Sequence, residues 1–270
     1  MSDRLAIIAG AGDLPQQVAK ANPTALFVSI KGVDVSVPDG AEHIAASYEK
    51  LGALFKAMRG AGVSRVVFAG KVDRPKLNPL RMDRVTMGLF PRVKAVLGKG
   101  DDALLRLVAE VFEEQGFTVV AATEVTAALA IEASHAGRAT SAQDREDADR
   151  GWQLLDVLAD QDVAQGVVFA GGQCLGIESI QGTDALLAFA GQASTNLKRG
   201  ARGVFVKRPK TGQDGRMDIP TIGANTVRGV AAAGLGGIVI EEGVIVLDRA
   251  AVAQLLDQYD LFLEVRKGTS

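Results

Sequence analysis

Over its first 130 residues the chain alternates short apolar runs with amphipathic patterns, and this alternation constrains the fold more than any other feature. "RLAIIAGAGDLPQQVAKA" reads as a buried strand, a glycine turn and a helix, with Pro15 tolerated in the first helical turn because the N–H it lacks has no intrahelical acceptor there. "TALFVSIKG" and "VSRVVFAGKV" are further strands rich in Val and Phe, and "YEKLGALFKAMRGAG" between them is an amphipathic helix closed by glycine. "DDALLRLVAEVFEEQGF" is a helix with Asp101 and Asp102 at its positive end, followed by the strand "TVVAAT". Strands that alternate with helices predict a doubly wound, Rossmann-like parallel sheet over residues 1–132.

The pattern changes at "EASHAGRATSAQDREDADRG", small and polar with a run of charge, and a linker is expected at 133–143. Residues 144–270 resume alternation and predict a second α/β domain: "WQLLDVLADQDVAQG", "GVVFAGGQCLGIESI", "TDALLAFAGQAST", "RGVFVKRP", "NTVRGVAAAGLGG" and "GIVIEEGVIVLD". The last pattern, "DRAAVAQLLDQYDLFLEVRKG", reads as a helix with a short tail. A length of 270 residues suits two cores of ordinary size.

Composition removes several classes. A net charge of −2 and 5% aromatic residues disfavour a nucleic-acid role. The single cysteine, Cys174, allows no internal disulfide, stands in no zinc spacing and is expected as buried filler. The start lacks the features of an export signal, no run is apolar enough to span a bilayer, and a cytoplasmic location is expected. His43 and His135 fall outside the polar clusters and in no serine- or cysteine-hydrolase motif.

Four stretches collect chemistry. "GAGDLP", Gly10 to Pro15, can cradle an anion at a helix start or be only a tight turn; Pro15 replaces the third glycine of a dinucleotide fingerprint. Residues 71–99 carry eight Lys or Arg against two Asp, a surplus that attracts phosphates or an anionic bilayer if it is not merely solvated. "GGQCLGIESIQGTDALL" holds Glu178, while Thr183 and Asp184 are explained by a helix start. "KRPKTGQDGRMDIPTIGANTV" holds Lys207, Lys210, Asp214, Arg216, Asp218 and Asn225: acids suit Mg²⁺ and bases suit phosphate, although Asn225 and Thr226 serve equally as helix caps.

With "IAGAGDLP", "AGKVDRPKL", "LGKGDDALLR", "GIESIQGTDALL" and "KRPKTGQDGRMDIPTIGANTV" in that order, nearly the whole chain resembles the UDP-2,3-diacylglucosamine diphosphatases of lipid A biosynthesis, of the LpxI type. The resemblance implies two α/β domains with a lipid-holding cleft between them, a divalent cation such as Mg²⁺, and cleavage of UDP-2,3-diacylglucosamine to UMP and 2,3-diacylglucosamine 1-phosphate (lipid X). It implies ligand contacts from Gly10, Gly12, Asp13, Leu14, Lys71, Asp73, Arg74 and Thr123 in the first domain. From the second it implies Gly171, Gly172, Gln173, Thr195, Asn196, Lys198, Gly223 and Thr226. Lys207, Asp214 and residue 225 are the expected catalytic groups, with Asp214, Asp218 and Glu178 as metal ligands. The family pattern has aspartate where this chain has Asn225; an amide cannot take a proton from water near pH 7, so low turnover is expected. Peripheral contact with the inner membrane is implied, and a homodimer is the general expectation for soluble proteins. Two other classes stay open: a nucleotide- or lipid-binding carrier, and a nicotinamide-dependent oxidoreductase, which needs a ribose-binding acid that the sequence does not present.

Overall fold

In the computed structural model, residues 3–72, 78–96, 101–161, 163–210, 214–217 and 219–268 are described. The chain divides into two units, residues 1–127 with 214–218, and residues 128–213 with 219–270.

In the first unit the apolar runs become β1 (Arg4–Ala9), β2 (Leu26–Ile30), β3 (His43–Ala46), β4 (Val63–Ala69) and β5 (Thr118–Val120), and the amphipathic patterns become α1 (Leu14–Ala21), α2 (Leu51–Gly60), α3 (Arg84–Val96), α4 (Asp101–Glu114) and the short α5 (Ala122–Val125). The strands form one parallel sheet in the order β3-β2-β1-β4-β5. Parallel strands need crossovers and are buried on both faces, which is why β1 reads as an unbroken apolar run. On one face Ala6, Ile8, Leu26, Val28 and Val66 pack with Leu54, Phe55 and Met58 of α2 and Phe112 of α4. Phe112 sits edge-on to Phe55 and Phe68, with ring centroids 5.1 Å apart in both pairs. Helix α1 contacts β1 and β4 and buries Pro15 and Val18.

The second unit contains β6 (Ser134–Gly137), α6 (Ala142–Leu158), β7 (Gly166–Ala170), β8 (Gln173–Ile177), α7 (Thr183–Ala190), β9 (Val204–Lys207), β10 (Thr221–Ile222), α8 (Ala224–Ala232), β11 (Gly237–Glu241), β12 (Ile245–Val246), α9 (Arg249–Gln258) and β13 (Phe262–Arg266). Its main sheet has the order β6-β13-β11-β9-β7-β8: β9, β11 and β13 are parallel, and β6, β7 and β8 are antiparallel to their neighbours. Period-two alternation divides the core. Val204, Val206 and Val239 face Trp152 and Leu155 of α6, while Phe205, Ile238 and Ile240 pack with Leu187, Val230 and Leu256 from α7, α8 and α9.

Two local expectations change. The segment read as a linker, 133–143, carries the edge strand β6, and Ser141 caps α6: its Oγ accepts from the Asp144 N–H at 3.1 Å, and Asp144 Oδ2 accepts from the Ser141 N–H at 2.8 Å. The segment read as a short tail is β13, an inner strand whose Phe262 is fully buried. Gly137 permits the β6 contact with β13, because a Cβ there would lie 2.1 Å from the Leu261 carbonyl oxygen and its φ is +78°. Among the described residues, no helix is long and apolar enough to cross a membrane.

Candidate functional site

Within the first unit, the chain leaves β1 toward β2 on one side and later places β4 on the other, so its topology reverses between β1 and β4. Ligands of open α/β sheets bind at the carboxyl ends of the strands beside such a reversal. The glycine turn lies there. Gly10 N–H donates to the Ala69 carbonyl at 2.7 Å, and Ala11 and Lys71 exchange backbone hydrogen bonds of 2.7 and 2.9 Å. A Cβ on Gly10 would lie 2.6 Å from the Gly70 carbonyl carbon, so glycine is what lets the two strand ends meet.

The first two amides of the turn are therefore engaged within the protein. The N–H groups of Gly12, Asp13 and Leu14 donate to no backbone carbonyl among the described residues, and Asp13, the N-cap of α1, makes no side-chain cap. Those three amides at a helix start form the part of the turn suited to an anion. Gly12 has φ +97°, a conformation that L side chains rarely adopt. Lys71 is exposed just beyond β4, and Thr123 lies in α5 just after β5, so all the described first-unit candidates share one edge of the sheet. Asp73 and Arg74 lie outside the described residues.

The second unit brings together Glu178, Thr183 and Lys207. Lys207 closes β9, is 6% exposed, donates to Thr183 Oγ1 at 2.7 Å and stands 3.8 Å from Glu178 Oε1. Thr183 Oγ1 donates in turn to Glu178 Oε1 at 2.7 Å. Gly166 leaves room for this carboxylate, since a Cβ there would lie 2.7 Å from Glu178 Oε2. That oxygen is buried and has no hydrogen-bond partner among the described residues. Burying an acid and a base is tolerable only because they face each other. Lys207 was expected to face phosphate; its charge is balanced locally by Glu178, and Thr183, read as a helix start, bridges the pair.

Gly171 and Gly172 were expected to approach the ligand with their backbone. They form the two-residue turn of the β7–β8 hairpin, with φ +57° and +74°, values that favour glycine. Their N–H groups donate to the Asp147 carboxylate at 3.0 and 2.7 Å. Asp147 is fully buried and was not singled out from the sequence. The signal was present: Asp144 and Asp147 continue the buried stripe Ala148, Gly151, Trp152 and Leu155 at helical spacing. Gln173 begins β8, half-buried, and Thr195 and Asn196 lie exposed in the turn before Lys198. Lys198 is 8% exposed and donates to the Ala233 carbonyl at 2.9 Å, just beyond α8; burial lowers its ammonium pKa. Cys174 is exposed on β8 rather than buried.

The polar stretch from Lys207 to Asn225 proves to be divided. Asp214 belongs to the first unit, where Arg216 Nε and Nη2 bind its two oxygens at 2.9 and 2.7 Å and hold the carboxyl below its usual range. Arg216 also pairs with Glu113 of α4 at 2.6 Å, and Met217 packs on the first unit's core. In the second unit the N-cap of α8 is Gly223, not Asn225 or Thr226. Thr226 Oγ1 accepts from the Gly223 N–H at 3.4 Å, and exposed Asn225 accepts from Arg228 Nη1 at 3.0 Å.

Two of the acids expected to hold Mg²⁺ are already paired within the protein. Asp214 is saturated by Arg216, Glu178 is paired with Thr183 and Lys207, and Asp218 lies outside the described residues. Among the described residues, no group of three or more His, Cys, Asp or Glu side chains can hold a metal.

A parallel α/β sheet, followed by a mixed α/β unit with a Glu–Thr–Lys cluster, defines a two-domain α/β protein. Residues 4–129 match the profile of the LpxI N-terminal domain and residues 131–264 that of the LpxI C-terminal domain. The chain is also 34% identical over 274 aligned positions, covering 96% of each protein, to the UDP-2,3-diacylglucosamine pyrophosphatase LpxI of Caulobacter vibrioides. The chain belongs to the LpxI family.

Proposed function

We propose that this chain hydrolyses the pyrophosphate bond of UDP-2,3-diacylglucosamine, releasing UMP and 2,3-diacylglucosamine 1-phosphate, and that Asn225 holds its turnover low. The observation that carries the reading is the end-to-end match to a relative named for that activity. The local geometry supports it in two places. The amides of Gly12, Asp13 and Leu14 at the start of α1 can receive a phosphate. The start of α8 sets residue 225 in an exposed position beside the guanidinium of Arg228, a group suited to a phosphate.

In-line attack on phosphorus needs an oriented water and neutralised phosphate oxygens. An aspartate at 225 accepts a water proton through hydrogen bonding, and Arg228 with the positive helix end keeps it ionised, so its contribution is orientation as much as proton removal. Asn225 presents a carbonyl oxygen to Arg228 and lacks that charge. Lys207, Thr183 and Glu178 fix the start of α7 and act as positioning residues. The divalent cation that the resemblance implies is proposed to enter with the substrate's phosphates, since Mg²⁺ is commonly held by substrate phosphates plus few carboxylates. The test is UMP release from UDP-2,3-diacylglucosamine by the wild-type chain and Asn225→Asp, with water labelled in heavy oxygen to show which phosphorus is attacked. A second reading, a nucleotide- or lipid-binding carrier without hydrolysis, rests on the amides at the start of α1, which serve binding as well as catalysis; it predicts binding and no UMP from either chain.

A further inference from the structure

Helix α3 and the turn before it expose an unusual combination of side chains. Leu80 is 96% exposed, Val85 39% and Met87 45%, while Arg81, Arg84 and Lys94 are exposed around them. The other side of α3 faces inward: Thr86 is buried, and Leu89 and Val93 pack on the first unit's core. Arg84, Met87, Pro91 and Lys94 recur at three- and four-residue spacing and so share the outward side.

The segment carries an excess of positive charge. Residues 78–96 contain four bases and one acid, +3 in a chain of −2, so the rest carries −5. The acid, Asp83, is occupied: Oδ1 accepts from the Thr86 N–H and hydroxyl at 2.8 Å each, and Oδ2 accepts from the Ala53 N–H at 3.2 Å. Arg92 pairs with Glu110 and Glu114 of α4. Arg84 and Lys94 form no ion pair among the described residues. A negatively charged bilayer therefore attracts Arg84 and Lys94 on this face. An exposed leucine at the tip supplies the second signal, apolar insertion, that stable peripheral binding requires. A rigid polyanion offers the same charge but no apolar layer for Leu80, and residues 78–96 expose no aromatic ring for stacking on bases.

We propose that the turn at residues 79–81 and the outward face of α3 dock on an anionic lipid bilayer, with Leu80 as the inserted tip and Arg81, Arg84 and Lys94 at the headgroups. The proposal deepens the reading that the substrate is a lipid, because it names the surface by which that lipid is met. The test is co-sedimentation of the full chain with vesicles of phosphatidylglycerol and phosphatidylethanolamine, and with phosphatidylcholine alone, all free of UDP-lipid. Binding is expected only to the anionic vesicles and falls as salt rises. Arg84→Gln with Lys94→Gln weakens it roughly 25-fold, about fivefold per charge. Leu80→Ser weakens it without changing the salt dependence, and circular dichroism confirms that both variants fold. Equal binding to both vesicle types, no binding, variants that bind as wild type, or equal affinity for heparin overturns the proposal. Because the vesicles carry no substrate, anionic-vesicle binding by a chain that releases no UMP overturns the hydrolase reading and leaves the docking surface standing.

Discussion

Asn225 occupies the second position of α8, where the exposed N-terminal amides favour negative charge. Asn225→Asp is therefore expected to gain about 0.3–1 kcal/mol in stability at low salt, and to raise UMP release by at least about 100-fold, the lower end of what a positioned acid or base contributes. Urea unfolding checks the first expectation and the product assay the second. The amide is visible in the sequence because "GANT" departs from the family pattern; its contact with Arg228 is not, because capping by Asn225 and by Gly223 reads alike in one dimension. Thr183 shows the same limit. As the first residue of α7 it looked like a helix-start residue, yet its hydroxyl links Lys207 to Glu178. Thr183→Val leaves the buried pair without its bridge and is expected to cost about 1–3 kcal/mol, measured as a shift in the urea midpoint. An unchanged midpoint would remove Thr183 from the account.

At the scale of elements, Asp83 fixes the start of α3 by accepting from the Thr86 N–H and hydroxyl and from the Ala53 N–H. Burial raises its pKa, but these hydrogen bonds outweigh burial and leave the carboxyl below its usual value. Asp83→Ala is expected to cost about 0.5–2 kcal/mol at pH 7. Because the folded-state pKa is depressed, this contribution is complete above the unfolded value of about 3.9 and disappears as pH falls through the lower folded value. Stability curves of the two proteins should converge in acid. A difference that persists well below that range would assign the cost to lost packing. The strands and helices with strong periodicity were legible: β1, β4, α2 and α4 follow their apolar patterns. β6 was not, because its four residues are all exposed and carry no hydrophobic signal. β13 was hidden by following α9 closely, with Asp260 turning the chain at φ +51°.

At the scale of the molecule, two α/β units were legible from the alternation, but the return of residues 214–218 to the first unit was not. Nothing in "QDGRMD" marks it; its cause is long-range, the Arg216–Glu113 pair and the packing of Met217. Met217 is half-buried, so Met217→Ala is expected to cost about 1–2 kcal/mol, less than the roughly 2–5 kcal/mol of a fully buried site. The loss should appear in hydrogen exchange of β1 and β4 and spare β9 and β11. This return puts Asp214 in the first unit, and Lys207 and Asn225 in the second. Hydrolysis of UDP-2,3-diacylglucosamine is measured most directly as UMP release by this chain and by Asn225→Asp under the same conditions. UMP and 2,3-diacylglucosamine 1-phosphate are expected in equal amounts, slowly from the first and faster from the second. Substrate binding with no UMP from either chain would contradict the hydrolase reading.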